Sequence, residues 1–254
     1  MLVLLPPSET KRDGGEGAPL DLQALSHPTL HAHRSELVDR VVALSGDTAA
    51  AMRALKLGPR GAADVERNRE LRTSPTMPAL DRYTGVLFDA LDYPSLDEAS
   101  RTFAGDTVMV HSALFGLVAA HDPIPAYRLS HDSRLPGVRL RSHWNPPITG
   151  LLERRTGVIV DLRSEGYADL GRAPLRPDSV FVRVVSVDAD GRRRALNHFN
   201  KQGKGRFTRA FLEQRPKIDD IDELLEWGRA AGFALDLRSP TSDGGGRVEL
   251  ELVA

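Results

Sequence analysis

Residues 157–167 read Gly157-Val158-Ile159-Val160-Asp161-Leu162-Arg163-Ser164-Glu165-Gly166-Tyr167. The apolar run from Val158 to Leu162 is the clearest strand signal in the chain, short, rich in β-branched residues and bounded by glycine on one side. It breaks at once into Arg163, Ser164, Glu165 and Tyr167. In open α/β sheets ligands collect where strands end in this way, at their carboxyl ends. Two more strand ends are similar. Residues 2–5 empty past Pro6 and Pro7 into Ser8, Glu9, Thr10 and Lys11, and residues 106–111 deliver His111 and Ser112. If these strands are neighbours, Glu9, Lys11, Glu165 and Tyr167 converge as candidate acid–base groups, in a polar pocket with Ser8, Ser112 and Ser164. Plainer roles stand beside these. Ser112 and Ser164 suit helix N-caps, and Glu9 and Lys11 suit an exposed ion pair.

The remaining pattern fits a sheet with helices. Residues 35–54 carry a helical stripe of Leu37, Val38, Val41, Val42, Leu44 and Met52, stopped by Gly58-Pro59-Arg60-Gly61. Residues 64–71 predict a short charged helix, 73–78 a proline-bearing connector and 83–91 another helix. The strand at 106–111 is expected to feed a helix at Ser112, with Ala113, Leu114, Leu117 and Val118 on one side. Residues 139–144 are ambiguous, and Pro146-Pro147 opens a helix through Arg155. Residues 180–187 predict a buried strand, 188–191 a turn and 192–199 its antiparallel return. A helix at 221–231 and closing strands at 233–237 and 248–253 follow. No repeat or composition break appears. The expectation is a mixed α/β (α+β) fold, one domain over residues 1–254.

Charge is concentrated in residues 192–217, which hold nine basic residues and one acidic, in a chain whose formal net charge is −1. Such a local field attracts a polyanion even where the net charge is near zero. Residues 200–206, Asn200-Lys201-Gln202-Gly203-Lys204-Gly205-Arg206, predict a glycine-rich loop opening a short helix with Phe207, Ala210 and Phe211 inward. Glycines and a helix N-terminus together can cradle phosphate. The candidate phosphate or DNA contacts are Arg194, Asn200, Lys201, Lys204, Arg206 and Arg209. Phe199 and Phe207 flank the loop and suit either base stacking or the core. The Walker pattern is missing, since Gly203-Lys204-Gly205 lacks the upstream glycine spacing and the following Ser or Thr.

The 254 residues suffice for a substantial core, and 41% hydrophobic with 27% charged residues is ordinary for a soluble protein. No apolar run approaches a bilayer span, and the N-terminus lacks a signal-peptide pattern, so a cytoplasmic protein without membrane contact is expected. Cysteine is absent, which excludes disulfides, thiolate metal sites and redox thiols. His27, His31 and His33 cluster without carboxylates at useful spacing, so no metal and no cofactor are expected. His121, His131, His143 and His198 are scattered and form no recognisable triad.

Several stretches together resemble one family. Leu2-Val3-Leu4-Leu5-Pro6-Pro7-Ser8-Glu9-Thr10-Lys11, Tyr83-Thr84-Gly85-Val86, Ser112 to Leu117, Asp122 to Leu129, Val158 to Tyr167 and Asn197 to Phe211 are similar, in order, to the YaaA family of bacterial peroxide-stress proteins. The resemblance implies a cytoplasmic protein made on exposure to hydrogen peroxide, and a part in limiting damage from free iron. It also implies a single compact α/β fold with a positively charged cleft that binds DNA. By position the cleft draws on Lys201, Lys204, Arg206 and Arg209, and a helix-hairpin-helix-like element falls at Ser112–Gly116. Ala113 stands where the family commonly has glycine, and the basic block has fewer consecutive lysines.

The leading expectation is therefore a monomeric DNA-binding stress protein that neutralises backbone phosphates with little base readout. The rival is an enzyme acting on a nucleotide or damaged nucleobase. It requires residues 8–11 and 164–167 to face the basic segment across one pocket.

Overall fold

Leu2–Leu5 (β1) runs through the middle of the main sheet, and Val3, Leu4 and Leu5 have no exposed surface. A computed structural model of the chain describes residues 1–187, 193–195, 198–238 and 246–253. After β1 come Gly17–Pro19 (β2), His31–Ser45 (α1), Thr48–Ala54 (α2), Ala62–Arg69 (α3) and Pro75–Pro78 (β3). Ala79–Arg82 (α4), Val86–Leu91 (α5), Glu98–Thr107 (α6), Val108–Ser112 (β4), Gly116–Ala119 (β5), Pro123–Ile124 (β6) and Leu140–Glu153 (α7) follow. The rest is Ile159–Asp161 (β7), Glu165–Ala168 (α8), Ser179–Val187 (β8), Arg193–Ala195 (β9), His198–Gln214 (α9), Ile221–Ala230 (α10), Ala234–Arg238 (β10) and Val248–Val253 (β11).

The main sheet runs β10-β11-β8-β7-β1-β4-β5, with β9 paired to the far end of β8. β1 lies parallel to both β4 and β7, with Val3 opposite Val108 on one side and Val160 on the other. β8 is parallel to β7 and β11, while β4–β5, β8–β9 and β10–β11 are antiparallel. The sheet is mixed and flanked by helices, as the sequence predicts. β1 and β7 are thus neighbours, so the polar loops after them open side by side at one edge. β2, β3 and β6 form a small separate sheet.

Four local expectations are corrected. The helix at 35–54 is two helices, because the Asp47 side chain accepts the Ala50 N–H at 3.0 Å and starts α2 afresh. No helix follows Ser112. β4 turns straight back as β5 through Gly116, whose φ of 67° puts its Cα against Trp144, where a Cβ would stand 2.9 Å from the ring. Trp144 Nε1 holds that turn by donating to the Ala113 carbonyl at 2.8 Å. The hairpin also removes the helix-hairpin-helix-like element expected at Ser112–Gly116. α7 begins at Leu140, with Pro146 and Pro147 inside it. An interior proline costs about 3 kcal/mol, but α7 buries Leu140, Trp144, Ile148, Leu151 and Leu152, each worth roughly 1.5–3 kcal/mol. Packing wins.

The fourth correction concerns the basic segment. Residues 200–206 are not a loop but part of α9. Neither Gly203 nor Gly205 has a positive φ. Gly205 serves close approach instead: a Cβ there would stand 2.2 Å from the Leu87 carbonyl oxygen and 2.8 Å from Ala90 Cβ. α9 therefore packs directly on α5, with Phe207 and Phe211 in the core against Trp227 and each other's neighbours.

Candidate functional site

The loops after β1 and β7 face the first turns of α9 across one cavity of about 510 Å³. Ser8, Glu9 and Thr10 line it from the first loop, Ser164 and Tyr167 from the second, and Asn200, Lys201 and Lys204 from α9. Pro6, Pro7, Val86, Leu87 and Phe88 add an apolar wall, and Ser130 and His131 close the remaining side. The volume falls within the range of small-molecule sites, and the lining sets one apolar wall against predominantly polar ones.

Each wall has a physical reason to stand where it does. The first loop is tied to residues 82–84 by Arg12 N–H donating to the Arg82 carbonyl at 2.8 Å and Thr84 N–H to the Thr10 carbonyl at 3.3 Å. Lys11 does not line the cavity. Its Nζ donates to the carbonyls of Ser8 at 2.8 Å and Glu9 at 3.4 Å and sits 4.0 Å over the Tyr127 ring. Burial, helped by the Arg128 charge, pulls the Lys11 amine down to about 7. Lys11 is the strut of the loop. Glu9 is exposed at the rim, its carboxylate paired with Arg128 at 2.6 Å.

The second loop rests on a buried ion pair. Arg163 donates from Nε and Nη2 to the two Asp161 oxygens at 2.8 and 2.7 Å, and from Nη1 to the Gly171 carbonyl at 2.8 Å and His111 Nδ1 at 2.7 Å. An arginine can only donate, so His111 Nδ1 accepts and its proton sits on Nε2. Burial and the Arg163 charge push His111 well below the usual histidine range and keep it neutral. Tyr167 packs edge-on against His111 and His131, at centroid distances of 5.9 and 5.0 Å. Burial raises its phenol far above the ordinary tyrosine value, so Tyr167 is held neutral at the cavity wall.

The predicted residues separate. Ser8, Glu9, Ser164, Tyr167, Asn200, Lys201 and Lys204 come together. Glu165 does not: it turns to a neighbouring cavity of about 340 Å³, where Arg183 holds it at 2.9 Å and Arg247 grips it from the other side. Those arginines lower its pKa, making it a clamp for α8 rather than a proton carrier. Ser112 is wholly buried and accepts the N–H groups of Leu114 and Phe115 at 3.0 and 2.9 Å, capping the β4–β5 turn. Ser164 stands at the N-cap of α8 but accepts no capping bond. Arg209 donates to the Leu91 and Asp92 carbonyls and to Ser95, pinning α9 to the end of α5. Arg206 is exposed and outside the cavity. The side chains of Arg194 and Phe199 lie outside the described residues.

Lys204 is the largest change. It is 6% exposed, at the inner end of the cavity, with Nζ donating to the Arg163 carbonyl at 3.4 Å. Burial brings its amine down to about 8, against the opposing pull of Asp161 and Glu165. A phosphate-backbone contact needs an exposed cation, and Lys204 is not one. His131 is the residue that sequence reasoning passed over. Its ring lies on Gly166, where a Cβ would come within 2.5 Å of it, and this holds the imidazole at the cavity wall. Imidazole is the side chain best suited to proton transfer near neutral pH. Among the described residues no three His, Asp or Glu side chains gather to hold a metal ion, and no helix is long and apolar enough to cross a membrane.

The comparisons with known proteins agree with one another. A UPF0246 protein of Corynebacterium efficiens is 41% identical over 244 residues, covering 93% of this chain and 95% of the relative. One from Corynebacterium glutamicum (strain R) is 39% identical over 241 residues, with 93% and 95% covered. One from Streptomyces coelicolor is 38% identical over 250 residues, with 96% and 95% covered. The sequence model of the family described as peroxide stress protein YaaA matches residues 1–238, and the chain belongs to that family.

Proposed function

We propose that the chain is an enzyme of the peroxide response that takes a nucleotide, or a nucleotide unit bearing a damaged base, into the 510 Å³ cavity. One observation carries this reading: Ser8, Glu9 and Thr10, Ser164 and Tyr167, and Lys201 and Lys204 of α9, far apart in sequence, line a single cavity with an apolar wall. Pro6, Pro7, Val86, Leu87 and Phe88 offer a flat ring an apolar surface. Lys201, exposed at the mouth, suits the phosphate. His131 and Tyr167 supply a proton acceptor and a neutral donor at the wall, in place of Glu9 and Glu165. Oxidised nucleotides are products of iron-driven peroxide chemistry, so such a site serves the limiting of that damage.

Calorimetric titration with nucleoside monophosphates and their unphosphorylated nucleosides tests the reading. Lys201→Ala should weaken the monophosphates about tenfold or more, the size of one charged hydrogen bond, and leave the nucleosides unchanged. Equal loss for both, or no binding of either, removes it.

DNA binding through the backbone is a second reading, favoured by the exposure of Lys201 and Arg206 on α9. It predicts that replacing both by alanine lowers the salt slope of duplex binding by about two. An unchanged slope moves any DNA contact off α9.

A further inference from the structure

Lys204 differs from the other buried cations of the chain. Arg34 donates to the carbonyls of Ser26, Phe115 and Leu117 at 2.7–2.8 Å, and Arg82 spans the carbonyls of Arg12, Pro75 and Ile124. Arg163 is saturated by Asp161, His111 and Gly171. These cations hold backbone together. Lys204 makes one long bond, 3.4 Å to the Arg163 carbonyl, and no carboxylate among the described residues stands within ion-pair distance of it. A desolvated, weakly bonded ammonium is an expensive strut. It is also placed unlike one, because its side chain lines a cavity rather than a packed interior. Nζ lies 5.9 Å from the Phe181 ring, which lines the neighbouring 340 Å³ cavity, while Leu87 and Phe88 line the 510 Å³ cavity with Lys204, so Lys204 stands between the two.

An apolar setting that disfavours the charged form is what turns a lysine amine into a nucleophile near neutral pH. With the amine brought down to about 8, a useful fraction is neutral at physiological pH. The cavity offers proton carriers as well, His131 and Tyr167, and Lys201 at the mouth for an anionic group.

We propose that Lys204 attacks an aldehyde carbon, and that the ligand of this cavity is an aldehyde-bearing sugar phosphate, free or within a strand. This rests on reading the cavity as a site for nucleotide-class molecules. In the step, the Nζ lone pair forms a C–N bond as the carbonyl π pair moves to oxygen, giving a carbinolamine after proton transfer. The C–O bond then breaks, both amine hydrogens leave with the oxygen as one water molecule, and an imine remains. His131 or Tyr167 delivers a proton to the departing oxygen. No oxidant or reductant is required.

The test is borohydride trapping on the full chain, with 2-deoxyribose 5-phosphate in one arm and a duplex containing one abasic site in the other. Peptide mass mapping locates the adduct, and nucleoside monophosphate titration is run in parallel. An adduct on Lys204 in either arm, lost in Lys204→Arg and kept in Lys217→Ala, whose side chain is exposed and outside the cavity, is the expected result, and the arm that traps names the source of the aldehyde. Labelling spread evenly over exposed lysines such as Lys56 and Lys217 overturns the proposal. Absence of any adduct while monophosphates still bind also overturns it and leaves the cavity's ligand class standing. Loss of both signals removes the ligand class as well.

Discussion

The His131 imidazole lies flat enough on Gly166 that a Cβ at position 166 would stand 2.5 Å from Cε1 and 2.7 Å from Nδ1. The second loop of the cavity therefore has no side chain at 166 because the third wall needs the space. Gly166→Ala should push the ring away while α8 keeps its helical backbone. Displacing a reacting group by about 1 Å can cost on the order of a hundredfold in turnover. Overpacking itself costs roughly 1–3 kcal/mol. A loss of ligand turnover without a matching fall in denaturation midpoint is the expected outcome. A variant with unchanged turnover would show that His131 has no part in the chemistry.

Gly205 tests the correction at α9. In a solvated helix, Gly→Ala stabilises by about 0.8–1 kcal/mol through propensity. Here the added methyl would meet the Leu87 carbonyl oxygen at 2.2 Å, and backbone cannot swing aside as a flexible side chain can. Overpacking at roughly 1–3 kcal/mol outweighs propensity, so Gly205→Ala should lower the urea midpoint. A rise would mean that α5 and α9 are not in close contact.

The sheet was the legible part. β1 and β7 are short buried runs and β8 is rich in buried β-branched residues, and such strands carry their own signal, while β11 alternates Glu249 and Glu251 with the buried Leu250 and Leu252. α6 was invisible because its fully buried residues are Ser100 and Ala104, too small and too polar to draw an apolar stripe. The β4–β5 hairpin imitated a helix because Ala113, Leu114, Leu117 and Val118 are all buried, which erases the alternation of a half-exposed strand. Glycines at 203 and 205 suggested a loop, since a turn and a tight helix crossing use the same residue for different reasons. The convergence of Ser8, Ser164 and Tyr167 followed from strand adjacency and was legible. His131 was not, because its placement depends on Gly166, a contact that no local pattern encodes.

The Asp161–Arg163 pair should be fragile to single changes and tolerant of a double one. Arg163→Met leaves the Asp161 carboxylate, 3% exposed, without its two charged donors. Breaking a buried pair in this way costs about 3–5 kcal/mol. Asp161→Leu combined with Arg163→Met removes both charges and should recover much of the loss, giving a coupling energy of roughly 1–3 kcal/mol in a double-mutant cycle. Additive losses in urea denaturation would mean that the two residues act independently.

Lys204 also sets a pH signature. Its folded pKa of about 8 lies below the ordinary lysine value of 10.5, so between these the unfolded chain binds more protons than the folded one. Stability therefore rises with pH across that window, by at most about 1.4 kcal/mol per unit for one group. Lys11, brought down to about 7, contributes in the same direction from lower pH. The buried phenols of Tyr83 and Tyr127 are raised above the ordinary value of 10, so their contribution is fully present below pH 10 and is lost above it. The wild-type curve of urea midpoint against pH should climb from pH 8 to 10 and then turn down. Lys204→Met should flatten the climb and leave the downturn in place. Parallel curves for the two proteins would show that the Lys204 amine is solvated in the folded chain, and its nucleophilic role would fall with that result.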